Sequence, residues 1–303
     1  MNTLKFAQVV CLLSCTLPLL AQQASGSSEE WKPVEAALGR SGQMQPGEVF
    51  KFSMPRKDLT VTKDGVKIAP GLALGSWAAF KKMGVKAMVM GDLVLTEDEV
   101  EPVMLSLQQN GIEQTGIHNH LIGEQPHIVY MHVEGHGEAA TLAKSLATAL
   151  ALTKTPGASP AAPAAAAASP LGIDQAAVEK ALGYSGKVNG GILQFSVPRA
   201  EKIMEHGMEI PPAMGTATAI NFQPTGGGKA AISGDFVLLA TEVNPVIQAL
   251  RKHGIDVEAV HNHMLGDEPH MYFMHFWAND DAAKLAAGLR AALDATNSQK
   301  PKM

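Results

Sequence analysis

An internal duplication constrains the fold of this chain more than any other feature. The block HNHLIGEQPHIVYMH, from His118 to His132, recurs as HNHMLGDEPHMYFMH, from His261 to His275. Upstream, FSMPR at 52–56 recurs as FSVPR at 195–199. A period of about 143 residues is too long for a solenoid repeat. It predicts two tandem homologous domains that pair within the chain about a pseudo-twofold axis.

Composition shifts divide the 303 residues into segments. Residues 1–26 have Lys5 ahead of an apolar run and then small polar residues, which predicts a signal peptide. The first repeat domain is expected over 31–152 and the second over 171–296. Residues 153–170, rich in alanine, proline and serine, are expected to be a linker between them. An alternative reading of the N-terminus is a lipoprotein anchored through Cys15.

Charge and hydropathy exclude some classes of partner. The formal net charge is −5 and no run of basic residues occurs, which argues against nucleic acid as a partner. Beyond the N-terminus no apolar run approaches the ~18 residues of a membrane span, so no transmembrane helix is expected in the mature protein. The sequence predicts an exported protein, periplasmic or secreted, with a lipid anchor at Cys15 as the alternative.

Apolar periodicity predicts the same elements in both halves. Short helices are expected at Trp31–Leu38 and Asp174–Leu182, and a longer helix is expected to begin at the capping residue Thr96 and to end at Gly111. Alternating segments between them predict strands. The order is a β-α-β-β-α core with extra N-terminal strands. This indicates an α+β fold in which helices cover a largely antiparallel sheet in each domain.

Eight of the eleven histidines lie in the two repeated blocks. Side chains two apart on a strand share a face, so each HNH pair should converge. A simple hairpin would place His127 opposite His120, and His270 opposite His263. We therefore expect a three-histidine metal site in each half, with His118, His120 and His127 in one and the remaining set in the other: His261, His263 and His270. By alternation His132 and His275 should face away as packed core residues, and they are only second-choice ligands.

Three neutral imidazoles with an open coordination position suit Zn²⁺ or Cu²⁺. Nearby carboxylates could be further ligands, could orient a histidine by a hydrogen bond, or could act as a general base: Asp92, Glu97 and Glu124 in the first half, and Asp235, Glu242, Asp267 and Glu268 in the second. Arg56 and Arg199 could bind a carboxylate or phosphate of a ligand, or could form salt bridges within their own domains. Whether the two clusters are separate or form one shared site stays open.

The duplicated HNH blocks, the two FS-x-PR segments and the GD strands at Gly91 and Gly234 resemble the LppY/LpqO family of exported bacterial proteins. The resemblance covers roughly Trp31 to Leu293. It implies export, and the mycobacterial members resemble lipoproteins, but it implies no reaction and no residue role.

Together these features predict a cell-envelope protein that binds a divalent transition metal, with metal-dependent hydrolysis as one activity to consider. The alternatives are a metal-free pocket for a small-molecule or cell-wall ligand and a purely structural histidine network.

Overall fold

The computed structural model describes residues 28–157 and 171–300. The expected signal peptide and most of the expected linker lie outside the described residues. Within those ranges the chain forms two domains with the same order of elements, and each contains a six-stranded antiparallel sheet and three α-helices. The predicted fold class is confirmed. No helix in the described ranges is long and apolar enough to cross a membrane.

The first domain has the strand order β1-β2-β5-β6-β8-β7. Its elements are a 3-10 turn at Ser28–Trp31, α1 (Lys32–Leu38), β1 (Gln43–Gln45), β2 (Val49–Pro55), β3 (Thr62–Lys63), β4 (Val66–Lys67), β5 (Gly75–Met83), β6 (Lys86–Thr96), α2 (Glu97–Gln109), β7 (Glu113–His118), β8 (Ile128–Gly137) and α3 (Ala139–Leu150).

The second domain repeats this arrangement with the order β15-β16-β14-β13-β10-β9. Its elements are α4 (Gln175–Leu182), β9 (Lys187–Asn189), β10 (Ile192–Pro198), β11 (Met204–Glu205), β12 (Met208–Glu209), a 3-10 turn at Pro212–Met214, β13 (Ala217–Gly226), β14 (Lys229–Leu239), α5 (Ala240–Lys252), β15 (Asp256–His261), β16 (Met271–Asp281) and α6 (Ala282–Leu293).

Strand alternation sends two different sets of side chains to the two faces of each sheet. On β8 the odd-numbered residues Met131 and Val133 join the apolar core beneath the helices of the first domain. On β16 Met274 and Phe276 do the same in the second domain. The intervening positions of both strands therefore point away from the helices.

These second faces of the two sheets pack against each other. Met88 and Met90 of β6 share a core with Ile203 and Ile210, which flank the β11–β12 hairpin of the other domain. In the reverse direction, Ile68 and neighbouring residues from the first domain pack with Trp277. Each domain thus extends a hairpin arm over the sheet of the other, and the two are joined by a buried apolar interface.

Hydrogen bonds also cross this interface. Asn119, between the first pair of histidines, donates to the carbonyl of Glu258 at 3.1 Å, and Asn262 donates to the carbonyl of Thr115. The Thr115 hydroxyl donates to the carbonyl of His263 at 2.6 Å. The asparagines of both HNH motifs therefore bind one domain to the other.

Candidate metal centre

Six histidines converge where the two sheets face each other. This central histidine cluster consists of His118, His120, His132, His261, His263 and His275. The rings of His118 and His261 stack with their centroids 3.5 Å apart. The pairs His120–His275 and His132–His263 each have centroids 3.8 Å apart. The three closest ring pairs of the cluster all join one domain to the other.

Strand register places the histidines on this face. In the first domain His118 pairs with Tyr130 and Gly116 pairs with His132 across β7 and β8. Directly paired residues project to the same side, as do residues two apart on one strand. His118 and His132 therefore share the face that meets the other domain. His120 follows the end of β7, and its ring lies on the same side, stacked on Tyr130. The same register holds in the second domain, where His261 pairs with Phe273 and Ala259 with His275.

The expected placement of His127 and His270 in the cluster is wrong. Each side chain is about half exposed, and its Nδ1 lies beside a loop carboxylate, that of Glu124 at 3.1 Å or that of Asp267 at 2.8 Å. The expectation that His132 and His275 face away is wrong as well, because both are buried within the cluster.

A β-bulge explains both errors. Before the bulge Gln114 pairs with Val133. If this register continued to the end of the strands, His120 would lie opposite His127. The bulge at Thr115 shifts the pairing by one residue, and a one-residue shift exchanges the faces. Glu258 occupies the equivalent bulge in β15.

Among the described residues the cluster contains three overlapping groups of ligand atoms. Ligand atoms of His118, His120 and His275 lie within 4.8 Å of one another. The same holds for His118, His132 and His261, and for Asp235, His261 and His263. The first two groups combine histidines of both domains, whereas the third combines the second HNH pair with an aspartate of its own domain. The two predicted sites thus meet at the domain interface.

One aspartate from each domain adjoins the histidines. Asp92 of β6 pairs in register with His132, and Asp235 of β14 pairs with His275. An Oδ2 of Asp235 lies 3.0 Å from Nε2 of His263, and that of Asp92 lies 3.7 Å from Nε2 of His120.

The glycine before each aspartate allows close strand packing. A Cβ at Gly234 would lie 2.0 Å from the carbonyl oxygen of Ala219 on β13, and one at Gly91 would lie 2.8 Å from that of Trp77 on β5. The repeated GD motif therefore combines a strand contact that excludes a side chain with a carboxylate aimed at the interface.

Backbone carbonyls orient the imidazoles. Nδ1 of His118 lies 3.0 Å from the carbonyl of Asn119, and Nδ1 of His275 lies 2.8 Å from that of Gly234. An Nδ1–H that donates to a carbonyl leaves the Nε2 lone pair free to bind a metal. In all six rings Nε2 is buried and makes no hydrogen bond to residues 28–157 and 171–300, although Nε2 of His263 is in close contact with the carboxylate of Asp235.

Burial sets the charge states of the cluster. It lowers the pKa of all six histidines, that of His118 to about 4 and that of His263 to about 3. At neutral pH the imidazoles are therefore uncharged, as metal ligands must be. Burial also raises the pKa of Asp92 to about 8, with the charge of Asp235 adding to the effect, and it raises the pKa of Asp235 to about 6.

Sequence reasoning missed three residues that adjoin the cluster. Burial lowers the pKa of Lys51 to about 8 against the opposing charge of Asp92, and the Lys51 ammonium lies 4.1 Å from the centroid of the Trp77 ring. Tyr130 stacks on His120 with centroids 3.3 Å apart, and Phe273 stacks on His263 at 3.4 Å. Strand alternation from His132 and His275 could have indicated the two aromatic residues, whereas no local pattern singles out Lys51.

The other predicted carboxylates lie elsewhere. Glu124 and Asp267 are buried in the hairpin loops, where they accept the backbone N–H groups of Ile128 and Met271. Glu97 and Glu268 are exposed. These four side chains stabilise loops or contact solvent and contribute nothing to the six-histidine cluster.

Arg56 and Arg199 follow the salt-bridge alternative, which corrects their assignment as ligand-binding residues. Arg56 is fully buried, and its five N–H groups donate to Asp58, Glu99 and the carbonyl of Val94. Arg199 repeats the arrangement with Glu201, Glu242 and the carbonyl of Val237. Neither guanidinium keeps a donor for a ligand.

A cavity of about 410 Å³ adjoins the second HNH motif. His261 and His270 contribute to its wall, and the other lining residues are Val260, Asn262, Met264, Leu265 and Tyr272. The cavity gives one ring of the central cluster contact with a space large enough for a small molecule.

The fold and the site define a class of protein: two clasped copies of one α+β domain that share a histidine-rich interface. Each copy matches the family model described as Domain of Unknown Function (DUF1259), over residues 32–152 and 176–295, and the chain belongs to this family. The narrower resemblance to LppY/LpqO proteins stays a prediction. No curated protein matches the sequence significantly.

Two solved structures show a weak likeness. One is a trimeric bacterial microcompartment shell protein, PduB, with 10% identity, coverage of 84% of this chain and 89% of that chain, and a TM-score of 0.21. The other is EtuB from Clostridium kluyveri, with 9% identity, coverage of 86% and 97%, and a TM-score of 0.20. Such scores carry no argument about function.

Proposed function

We propose that the protein binds divalent transition-metal ions, of the Zn²⁺ or Cu²⁺ class, in the central histidine cluster. The candidate ligand sets within the cluster are two groups of three imidazoles drawn from both domains, and one group of Asp235 with His261 and His263. The observation that carries the proposal is the convergence of six buried Nε2 atoms that find no hydrogen-bond partner in the described part of the chain.

Energetics favour a cation over a metal-free cluster. A buried polar group without a partner costs about 1–3 kcal/mol, so six of them are a large expense in a domain interface. Asp92 and Asp235 add two carboxylates whose ionisation burial opposes. A bound dication would satisfy the imidazole lone pairs and favour the ionised carboxylates at once. Imidazole with some carboxylate is a donor set that suits Zn²⁺ and Cu²⁺.

A second candidate function is metal-assisted hydrolysis of a small substrate. The cavity beside His261 supports it, because a substrate there would adjoin the metal ligands. Asp92 and Lys51, both with pKa values near 8, are groups that could transfer protons at neutral pH. The test of this candidate is whether the metal-loaded protein hydrolyses ester or phosphoester substrates. The D92N variant should lose this activity while its metal content stays unchanged.

We further propose that the protein is exported and that this metal centre acts in the cell envelope. The N-terminal sequence, with Lys5 before an apolar run, supports export, and the cavity could take a small-molecule or cell-wall ligand. Cell fractionation with and without residues 1–26 tests the location.

Metal analysis tests the central proposal. The protein is purified without chelator, incubated with ZnCl₂ or CuCl₂, desalted and analysed by plasma mass spectrometry. We expect the quadruple variant H118A/H120A/H261A/H263A to lose the ions of the central cluster. The matched control H127A/H270A removes exposed histidines of the same blocks and should keep the parent's metal content.

Equal metal content in the parent and the quadruple variant would overturn the proposal, provided that circular dichroism shows the variant folded. If the quadruple variant does not fold, the single substitutions H120A and H263A, each measured by calorimetric titration, carry the test.

A further inference from the structure

The pseudo-symmetry of the two domains is broken at one edge of their interface. On β8 the interface-facing positions continue past His132 to Glu134 and His136. Opposite them lie Glu205, at the end of β11, and His206 in the following turn. We name Glu134, His136, Glu205 and His206 the lateral cluster. It combines two residues from each domain and lies outside the central histidine cluster.

The lateral cluster has ligand geometry. Ligand atoms of Glu134, His136 and His206 lie within 4.8 Å of one another. Nε2 of His206 is 3.1 Å from Oε1 of Glu134 and 3.8 Å from Oε1 of Glu205, and Nε2 of His136 is 3.7 Å from Oε1 of Glu134. The two rings are perpendicular, with centroids 4.7 Å apart, so they approach the carboxylates from different directions.

Two buried carboxylates in this cluster are incompletely satisfied. Glu134 and Glu205 are only 4% and 2% exposed. The Oε2 atom of each is buried and has no hydrogen-bond partner in the described ranges. Burial and the neighbouring charge of Glu205 raise the pKa of Glu134 to about 7. Adjacent buried carboxylates of this kind favour a bound cation.

The equivalent positions at the opposite edge carry different chemistry. Trp277 and Asn279 replace Glu134 and His136 on β16, and the β3–β4 hairpin supplies Lys63 and Asp64 where the β11–β12 hairpin supplies Glu205 and His206. There the Trp277 indole donates to Asp64 at 2.9 Å, and Lys63 lies 3.4 Å from the carboxylate of Glu258. At that edge the polar groups of the two domains pair with each other, through Trp277 with Asp64 and Lys63 with Glu258.

We infer that the lateral cluster is a second binding site for a divalent transition metal of the Zn²⁺ class, present at only one edge of the interface. The ion would bridge the two domains, with ligands from β8 on one side and from the β11–β12 turn on the other. Two imidazoles and one or two carboxylates are a donor set that Zn²⁺ accepts in four-coordinate sites. The imidazoles of His136 and His206 are partly exposed, so the ion would exchange with solvent more readily than one in the central cluster.

The opposite edge supplies one of the test variants. H136N introduces the residue that the other edge carries at the equivalent position, H206N removes the second imidazole without adding a carboxylate that could bind zinc, and E134Q keeps the shape of the carboxylate while removing its charge. The double variant H136N/H206N, E134Q, the parent and a control, H127N/H270N, are saturated with ZnCl₂, desalted and analysed for zinc. The control removes two other exposed histidines.

We expect H136N/H206N to hold one equivalent of zinc fewer than the parent, E134Q to bind that equivalent more weakly, and the control to match the parent. Zinc should also raise the melting temperature of the parent more than that of the double variant, because the ion joins the domains. Equal zinc content and equal thermal shifts in the parent and the double variant would overturn the inference. The difference between these proteins reports the lateral site alone, and the zinc retained by the double variant reports the central cluster, so the two proposals fail separately.

Discussion

At the scale of the residue, two arginines and six histidines illustrate opposite uses of burial. Arg56 is buried with all five donors satisfied by Asp58, Glu99 and Val94, so its charge is fully compensated. The central histidines are buried with Nε2 atoms that lack a partner in the described ranges. A residue type alone does not distinguish a structural ion pair from a ligand set, whereas the balance of donors and acceptors does.

Replacement of Arg56 should reduce stability and leave metal binding intact. Arg56→Met leaves Glu99 buried without its cation, which costs roughly 3–5 kcal/mol for a buried pair. Arg56→Lys keeps the charge but loses part of the fork of donors, so a smaller loss is expected. Guanidinium unfolding measures both, with exposed Lys57→Met as the control. A drop in metal content of folded Arg56→Lys would contradict a purely structural role.

At the scale of the element, the bulges in β7 and β15 determine which histidines reach the interface. Thr115 and Glu258 are buried bulge residues, and both bind the opposite domain, Thr115 through the carbonyl of His263 and Glu258 through Lys63 and the N–H of Ile122. The shift in register and the pairing of the domains are therefore parts of one arrangement.

The close strand contacts at the glycines of β6 and β14 lead to a prediction at this scale. Gly234→Ala would place a Cβ 2.0 Å from a backbone oxygen of β13, a contact that only strand displacement can relieve. We expect the free energy of unfolding to fall by ~1–3 kcal/mol, which is typical of overpacking. Metal binding should also weaken, because Asp235 is the next residue. Thermal unfolding and zinc titration measure the two effects. Gly157→Ala, at a position with no atom within 4 Å, should behave as the parent.

At the scale of the whole molecule, the proposed metal sites lie within the interface between the two domains. The sites would then stabilise the domain pair when occupied, since ligands that bind only the folded state add to its stability. The interface also concentrates groups whose pKa values differ from those of the unfolded chain.

Acidification should destabilise the metal-free protein. In the folded protein the pKa values of the six central histidines lie below the ordinary value of 6.5. At a pH between the lowered pKa of a histidine and 6.5, that residue therefore binds a proton in the unfolded chain and not in the folded one. Stability contributed by these histidines is present above pH 6.5 and is lost as the pH falls. Five carboxyl groups have raised pKa values and act in the opposite direction: Asp92, Glu134, Glu205, Asp235 and Glu258. The six histidines outnumber them, so the net effect of acidification should be a loss of stability.

We therefore expect the melting temperature of chelator-treated protein to fall by about 10 °C or more between pH 7 and pH 5, because each kcal/mol corresponds to ~2–4 °C at this size. Differential scanning calorimetry measures the shift. The folded H118A/H120A/H261A/H263A variant should show a smaller fall, and a melting temperature that is constant or rises on acidification would contradict the histidine assignment.

The sequence by itself determined the duplication, the α+β class of each domain and the importance of the HNH blocks. These follow from local rules: apolar periodicity predicts helices and strands, and residues two apart on a strand share a face. The capping of α2 by Thr96 was equally local and is present in the structure.

Only the tertiary structure decided which histidines meet. The choice between His127 and His132 depended on a one-residue bulge, and that bulge is stabilised by contacts to a domain about 143 residues away in sequence. The meeting of His118 with His261, the two histidine triplets drawn from both domains and the one-sided lateral cluster depend on how the two sheets pack. These features depend on packing between segments that are distant in sequence, and local sequence patterns do not predict such packing.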